Sequence, residues 1–515
     1  MRNQGLGSWP VRRARMTPDH PAVVHEDGSL TYEELAGRVA RLAHALRSLG
    51  VGHGDRVAYL GLNHPSLAET LFAAGALGAV FVPLNTRLAP PELAYILRDC
   101  EARVLVFGTE HTDVVEVLRD DVTVADCIAV GSPVRERCRS YGELLAGASA
   151  DPLDEAVEIE EVCMIQYTSG TSGHPKGVML THANITWNCF NTLLDVDITT
   201  DEVALVAAPM FHTAALNAVF LPTFIKGATS VLMSAFHPDR VFEVIAEHKV
   251  TRMFGVPAMF QAIANSPRWA DADLSSVRTL ICGAAPVPHA LIRTYQDRGL
   301  TFLQGYGLTE TAPGALVLRA KESTVKIGSA GTPCFFTDVR VVHPDLTDVA
   351  PGEVGEVIIQ GPNVMTGYWQ RPDATRAAFY DGGWFRSGDA ATVDLDGYVT
   401  IVDRFKDMYI SGGENVYPAE VEQVIYQHPA VADCAVIGVP DRRWGEVGHA
   451  VVVPREGATV TADDILAFLT GRLAKYKIPK TVAFVDALPS NGTGKVLKSR
   501  LRHQHGTAHE EGGTR

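Results

Sequence analysis

The segment from Tyr167 to Val178, YTSGTSGHPKGV, has the composition of a loop that binds phosphate groups. It follows the apolar stretch VCMIQ and combines hydroxyl side chains, glycines and Lys176. Glycines let backbone N–H groups approach anionic oxygens, hydroxyls donate further hydrogen bonds, and a lysine supplies positive charge. The spacing is not the GxxxxGK(S/T) of P-loop nucleotidases, and no GxGxxG follows a predicted strand. We therefore expect a phosphate-binding loop of another type.

Four further motifs follow this loop along the chain. They are GYGLTE at 305–310, WFRSGD at 384–389, DRFKDMYISGGENVYP at 403–418 and NGTGKVLK at 491–498. In this order, the five motifs resemble those of the adenylate-forming superfamily, which includes acyl-CoA synthetases, adenylation domains of peptide synthetases and beetle luciferases. The resemblance extends over residues 20–505. It implies an enzyme that uses ATP, Mg²⁺ and coenzyme A (CoA).

The reaction implied by the resemblance has two steps. A carboxylate resists nucleophiles, so the acid is first joined to AMP with release of pyrophosphate, and the acyl group then passes to the thiol of CoA. Attack on the α-phosphorus requires cations and hydrogen-bond donors around the phosphates, which is mainly positioning and electrostatic work. By resemblance, Thr309 contacts the α-phosphate and Glu310 holds Mg²⁺, a hard cation that prefers oxygen ligands. The residues expected to bind the β- and γ-phosphates are Thr168, Ser169, Gly170, Thr171 and Lys176.

The same resemblance implies which residues contact the ribose and the adenine of the nucleotide. Asp389 is expected to accept hydrogen bonds from both ribose hydroxyls, a task suited to an ionised carboxylate, and Arg404 is the second ribose contact. A flat ring and small residues can enclose a purine. The adenine slot is accordingly assigned to Tyr306 together with Gly283, Ala284 and Ala285.

Three further residues receive roles from the family motifs. Lys495 is the expected adenylation lysine, because the GTGK context places an ammonium group on a glycine-containing loop. His212, in PMFHTAALN, is similar to the aromatic gate between the phosphate site and the acyl pocket, although a structural histidine fits the same position. Lys406 lies where the small domain of the family reorients between the two steps.

The chain departs from the family pattern at two positions. Ser172 replaces a threonine of the phosphate loop and keeps its hydroxyl. Tyr409 replaces an aliphatic residue after KDM, and we expect it near the path of the pantetheine arm of CoA. An enzyme that only adenylates its acid, and hands it to a separate protein or carrier, therefore remains an alternative.

The walls of the acyl pocket are expected to be apolar or small. They comprise the segments after His212, 254–260, 283–285 and 311–314, and Gly305, none of which contains Arg or Lys. A second carboxylate would be buried there without a partner, at high energetic cost, so we predict a hydrophobic monocarboxylic acid. The N-terminal residues MRNQGLGSWPVRRARM resemble bacterial acyl-CoA synthetases of the feruloyl-CoA synthetase type, which favours an aromatic or bulky polycyclic acid over a fatty acid.

The elements that carry these residues alternate between helix and strand. Helical spacing in TYEELAGRVARLAHALRSLG, followed by DRVAYLGLN, a second helix and AVFVPLN, indicates an α/β fold with buried parallel strands. Short strands follow after Val339, with AspGly at 396 and 397 as a hairpin turn. The expected architecture is a large N-terminal domain of two α/β sheet subdomains plus a β-rich subdomain, residues 1–403, then a small mobile α+β domain, 404–505, and a disordered tail, 506–515.

The composition excludes several classes of protein. Asp and Glu number 60 against 45 Lys and Arg, a net charge of −15, which argues against nucleic acid as a partner. The apolar stretch from Leu71 to Leu84 is interrupted by glycines and predicts a buried helix and strand, not a membrane span. The eight cysteines form no CxxC pair. We expect a cytoplasmic enzyme, monomeric or homodimeric, that acts on a small carboxylic acid.

Overall fold

The computed structural model describes residues 2–122, 124–168, 175–411, 414–490 and 496–505. The architecture is the predicted α/β fold, with a large N-terminal region of three sheets and a small C-terminal region with a sheet of its own. The predicted disordered tail, 506–515, lies outside the described residues. The principal helices are Trp9–Met16, Tyr32–Ser48, Pro65–Ala76, Pro90–Asp99, Thr112–Asp121, Tyr141–Gly147, His182–Asp195, Leu221–Lys226, Pro238–His248, Pro257–Asn265, His289–Gln296, Pro372–Ala377, Pro418–Ile425, Ala462–Leu469 and Lys498–His505.

Two large sheets form the centre of the N-terminal region. In the described chain one sheet has nine strands and the other eight, and most neighbouring strands are parallel. The nine-stranded order is Thr332–Pro333, Gly314–Val317, Phe302–Gly307, Thr279–Cys282, Arg252–Gly255, Val203–Val206, Thr229–Leu232, Pro21–His25 and Gly28–Thr31. The eight-stranded order is Gly367–Tyr368, Lys176–Thr181, Val162–Thr168, Val80–Pro83, Arg56–Leu60, Ala102–Gly108, Asp126–Val130 and Arg139–Ser140.

Local sequence explains the helices between these strands. Helix Tyr32–Ser48 begins with a capping box, in which the Thr31 hydroxyl accepts from the Glu34 N–H and the Glu34 carboxylate accepts from the Thr31 N–H. Its apolar face, including Leu35, Leu42 and Leu46, is buried in the core between the sheets. Helix Pro65–Ala76 is buried along its whole length, as predicted for the apolar stretch that begins near Leu71. Among the described residues, no helix has both the length and the apolarity needed to cross a bilayer.

A smaller antiparallel sheet follows these two, as the change in sequence pattern predicts. Its strands are Asp338–Val342, Gly355–Gln360, Trp384–Val393 and Phe379–Tyr380, with Val399–Arg404 paired to Trp384–Val393. The predicted AspGly turn joins strands Trp384–Val393 and Val399–Arg404. In this turn Gly397 has φ +85, and the Asp394 carboxylate accepts hydrogen bonds from the backbone N–H groups of Asp396 and Tyr398.

The C-terminal region has its own sheet and core. The strands are Glu414–Val416, Tyr409–Ser411, Gly445–Pro454 and Val431–Asp441, with Thr481–Phe484 paired in parallel to Gly445–Pro454. Helices Pro418–Ile425 and Ala462–Leu469 contribute Val421, Ile425, Ile465 and Leu469 to one hydrophobic cluster. Only residues 405–408 connect strand Val399–Arg404 of the N-terminal region to strand Tyr409–Ser411. The division at 403/404 and the mobility of the small domain remain predictions.

Candidate active site

Three residues assigned to the nucleotide are in direct contact. The Tyr306 hydroxyl donates to Asp389 Oδ2 over 2.7 Å, and Arg404 Nε lies 3.2 Å from Asp389 Oδ1. Asp389 is 4% exposed, so these partners replace water around its carboxylate. Burial, and then the charge of Asp389, raise the pKa of Tyr306 well above its usual value, so the phenol is a stable donor.

Strand pairing places these residues together. Asp389 and Arg404 are cross-strand partners in the antiparallel pair closed by the AspGly turn. Tyr306 comes from strand Phe302–Gly307 of the nine-stranded sheet. The site therefore lies where this strand meets the antiparallel sheet, and both oxygens of Asp389 keep unused acceptor directions for a ligand.

Glu310 is the centre of a second cluster. The Tyr368 hydroxyl donates to Glu310 Oε1 over 2.9 Å, and the Lys176 ammonium lies 5.1 Å from the centre of the Tyr368 ring. Burial raises the pKa of Glu310, so its ionised form gains from a cation. Sequence reasoning missed Tyr368. It follows Gly367 in MTGYWQ, and only the pairing of Tyr368 with Val178, next to the phosphate loop, brings it here.

The ends of the phosphate loop are held together by strand pairing. Thr168 is the cross-strand partner of Lys176. The Tyr167 hydroxyl donates to Asp99 Oδ2 over 2.7 Å, which fixes the strand before the loop to helix Pro90–Asp99. Ser169, Gly170 and Thr171, together with Ser172, lie outside the described residues, so their part in the prediction is not tested.

The predicted adenine slot follows strand Thr279–Cys282. A Cβ atom on Gly283 would lie 2.7 Å from the Gly305 carbonyl oxygen, so any side chain at this position would force the two backbone segments apart. Ala284 has φ +69, a left-handed conformation that turns the chain away from the sheet. Ala285 follows it and is half-buried. The slot is thus lined by backbone atoms, next to Tyr306.

Thr309 and Glu310 lie in a single turn, Thr309–Thr311. The buried Asn363 side chain holds this turn by donating to the carbonyl oxygens of Thr311 and Gly314, each over 2.7 Å. The backbone carbonyl of Glu310 also accepts from the Met365 N–H over 2.8 Å. Residues 363–365 thus fix the turn from the opposite side.

His212 lies at the start of a short helical segment. It precedes helix Thr213–Ala215, which continues as the π-helical turn Leu216–Phe220, and its ring centre is 4.5 Å from that of Phe211. π-Helical turns are uncommon and often accompany functional sites. Behind this segment, the buried Asn188 donates to the Asn217 carbonyl (2.8 Å) and accepts from the Gly314 N–H (3.0 Å). Asn188 thereby joins two predicted walls of the acyl pocket, the segment after His212 and residues 311–314.

Lys495 lies outside the described residues, but the helix that follows it is fixed. Lys498, the first residue of helix Lys498–His505, forms a 2.8 Å ion pair with Glu422, and their side chains are 14% and 12% exposed. On the same helix, Arg502 lies 2.9 Å from Asp407 in the connection after Arg404. This connection carries the exposed Lys406 at the predicted hinge position.

Tyr409, the residue that departs from the family pattern after KDM, is 1% exposed and belongs to the core of the C-terminal region. Its ring packs against two glycines of the same sheet. An added Cβ atom on Gly438 would lie 2.4 Å from Tyr409 Cβ, and one on Gly448 would lie 2.4 Å from its hydroxyl. Tyr409 therefore fills a core position, which the KDM motif alone does not indicate. Its expected place near the path of CoA remains a prediction.

Comparison with known proteins shows the family of this chain. Residues 11–369 match the family described as AMP-binding enzyme, and residues 420–495 match its C-terminal domain. A feruloyl-CoA synthase from Amycolatopsis sp is 57% identical over 98% of this chain and 100% of its own length. An indoleacetate–CoA ligase from Aromatoleum aromaticum is 41% identical over 96% and 97%. The crystal structure of the anthranilate CoA ligase AuaEII with anthranoyl-AMP has a TM-score of 0.93 at 27% identity, covering 99% and 98% of the chains.

Proposed function

Because the chain belongs to the AMP-binding enzyme family and is an AMP-forming acid–CoA ligase, we propose that its substrate is an aromatic monocarboxylic acid of the hydroxycinnamate type. The observation that carries this proposal is the 57% identity to a feruloyl-CoA synthase over 98% of this chain. Relatives that act on indoleacetate and anthranilate, by their names, also take aromatic acids. A fatty acid is the second candidate, since a long-chain-fatty-acid–CoA ligase of Mycobacterium tuberculosis is 41% identical.

The nucleotide roles in this proposal are those of the family motifs, and the contacts of Asp389 and Gly283 support them. Asp389, held by Tyr306 and Arg404, accepts from the ribose hydroxyls while the backbone at Gly283 and Gly305 borders the adenine. Lys176 and the loop before it bind the outer phosphates, and Thr309 contacts the α-phosphate. The contacts of Asp389 with Tyr306 and Arg404 hold its carboxylate in place without a ligand, so little reorganisation of this group opposes the binding of the nucleotide.

The Glu310 cluster fits a bound Mg²⁺. Glu310 is a desolvated carboxylate with a raised pKa, and in the described chain its side chain accepts a hydrogen bond from a phenol and not from a cation. Oxygen ligands of this kind suit Mg²⁺, which would neutralise phosphate charge during the displacement. Tyr368 orients the carboxylate by donating to one of its oxygens.

The acyl pocket supports an apolar substrate with one carboxylate. Its predicted walls contain no Arg or Lys, and two of them are joined by the buried Asn188. A dicarboxylate would place its second charge there without a partner. The adenylation-only alternative rested on Tyr409, whose side chain is buried in the core of the C-terminal region. The identity to a feruloyl-CoA synthase over the full chain supports transfer to CoA by this chain.

The proposal is tested by measuring pyrophosphate release and acyl-CoA formation with ferulate, indoleacetate, a long-chain fatty acid and malonate. We expect the highest kcat/KM with ferulate, lower values with the fatty acid, and none with malonate. A preference for the fatty acid would contradict the aromatic assignment, and acyl-AMP that accumulates in the presence of CoA would contradict the second step.

We also predict that Lys495→Ala lowers the rate of pyrophosphate release by ~100- to 1,000-fold, as loss of one preorganised transition-state contact does. Binding of ATP is retained, because the nucleotide contacts described above are elsewhere. Lys475→Ala, at an exposed position of the same small domain, is the matched control and leaves the rate unchanged. Near-normal pyrophosphate release by Lys495→Ala would show that another group has this role.

A further inference from the structure

His25, Asp27 and His64 form a cluster of side chains that could hold a metal ion, and none of them is among the residues assigned to the nucleotide. His25 ends strand Pro21–His25, Asp27 lies in the following turn, and His64 precedes helix Pro65–Ala76. One ligand atom from each residue lies within 4.8 Å of the other two. The proposed reaction uses none of these residues.

The two distances from Asp27 to the histidines are close to those between ligands of one ion, and the two histidine ligand atoms lie within 4.8 Å of each other. Asp27 Oδ2 lies 3.2 Å from His25 Nδ1 and 3.1 Å from His64 Nε2. In a tetrahedral zinc site with bonds of about 2.0–2.1 Å, neighbouring ligand atoms are about 3.4 Å apart. Asp27 is the exposed member, with 75% of its side chain accessible, so it can adjust to an ion with little cost.

Each histidine has a hydroxyl partner on the ring nitrogen that points away from Asp27. His25 Nε2 lies 2.9 Å from Ser234 Oγ, and His64 Nδ1 lies 2.7 Å from Ser66 Oγ. The Tyr59 hydroxyl is in turn 2.8 Å from Ser66 Oγ. Hydrogen bonds to the second ring nitrogen orient metal-ligating histidines and select their tautomer.

Coordination changes the hydrogen bonds of both rings. His25 Nδ1 accepts from the Asp27 N–H over 3.3 Å, and a metal ion would take the lone pair in place of this N–H. His64 Nδ1 accepts from the Ser66 N–H over 3.1 Å, which places the ring proton on Nε2. For Nε2 to become the ligand atom, this proton moves to Nδ1, which then donates to Ser66 Oγ and gives up the bond from the Ser66 N–H.

We propose that His25, Asp27 and His64 bind one divalent transition-metal ion of the Zn²⁺ class, with water completing its coordination. Two imidazoles and one carboxylate suit Zn²⁺ better than Mg²⁺ or Ca²⁺, which prefer oxygen ligands. His25 belongs to the nine-stranded sheet, whereas His64 begins a helix that connects two strands of the eight-stranded sheet. The ion therefore links the two sheets and stabilises their contact.

The test uses full-length protein freed of metals with a chelator. Co²⁺, whose visible absorption reports its coordination, and Zn²⁺, followed by calorimetry, are titrated into the wild type and into Asp27→Asn and Ser234→Ala. We expect one equivalent bound by the wild type, with affinity lowered ~10- to 100-fold in Ser234→Ala and at least as much in Asp27→Asn. Zn²⁺ also raises the Tm of the wild type, because it binds only the folded state, and raises that of Asp27→Asn less.

His343→Gln is the matched control, since His343 and Glu353 form a histidine–carboxylate pair of 3.3 Å elsewhere on the surface. This variant is expected to bind the metal like the wild type. Equal affinities of the wild type and Asp27→Asn would overturn the proposal, as would the absence of binding to the wild type. Asp27 lies in an exposed turn, so its substitution leaves the fold intact and the comparison valid.

Discussion

Replacing Asp389 with asparagine tests the proposed nucleotide site most directly. The substitution keeps the size of the side chain and removes its charge. The carboxylate is 4% exposed and held by Tyr306 and Arg404, so neither water nor a different rotamer can restore the lost acceptor. We expect the KM for ATP to rise while the KM for the acid stays the same.

The size of the effect follows from the two hydrogen bonds to the ribose hydroxyls. A hydrogen bond to a charged acceptor contributes about 1.5–3 kcal/mol, and one between neutral groups about 0.5–1.5 kcal/mol. A loss of roughly 1 kcal/mol at each hydroxyl gives about 2 kcal/mol, or ~30-fold in affinity for ATP. The loss of the ion pair with Arg404 adds little, because 35% of the Arg404 side chain is exposed.

The assay is steady-state pyrophosphate release, with ATP varied at saturating acid and then the reverse. Asp394→Asn is the control: it makes the same chemical change in the same hairpin, where Asp394 pairs with Lys326 over 2.7 Å at the surface. The control should leave both KM values unchanged. A KM for ATP in Asp389→Asn within about threefold of the wild type, less than 1 kcal/mol, would refute the ribose assignment.

Three further predictions concern neighbouring parts of the site. Burial raises the pKa of Glu310, so protons compete with Mg²⁺ for its carboxylate at pH values above the usual range of a glutamate. The Mg²⁺ concentration required for half-maximal rate should therefore increase as the pH falls. Glu310→Gln should abolish this pH dependence. Gly283→Val places Cβ 2.7 Å from the Gly305 carbonyl, so urea unfolding should show a loss of about 1–3 kcal/mol and the KM for ATP should rise. Lys498→Met leaves Glu422 buried without its cation and should lower the free energy of unfolding by about 3 kcal/mol, whereas the double variant with Glu422→Gln should recover most of it.

Much of the fold could be predicted because its strands and turns have local signals. Apolar runs bounded by glycine or proline marked strands such as Arg56–Leu60 and Val80–Pro83, and AspGly marked the turn before Val399–Arg404. Strand Pro21–His25 was missed. Its position depends on parallel pairing of Val23 with Ser230, far away in the sequence, which no local pattern encodes.

The candidate site likewise contains residues that local motifs predict and residues that only long-range strand pairing brings together. Motifs identified Tyr306, Asp389 and Arg404, and the structure brings them into contact because strand register places Asp389 opposite Arg404. Tyr368 was missed, since its link to Glu310 depends on pairing between strands distant in the chain. The burial of Tyr409 could not be predicted from its motif, because its environment is set by two glycines on other strands, Gly438 and Gly448.

The short connection between the two regions has a kinetic consequence. Arg404 ends one sheet and Tyr409 begins the next, so the five chain steps between them span at most about 18 Å when fully extended. A tether of this length keeps groups of the small domain at high effective concentration near the bound nucleotide. A small domain supplied as a separate chain would have to reach that concentration by diffusion, and each residue inserted between Phe405 and Met408 would dilute it.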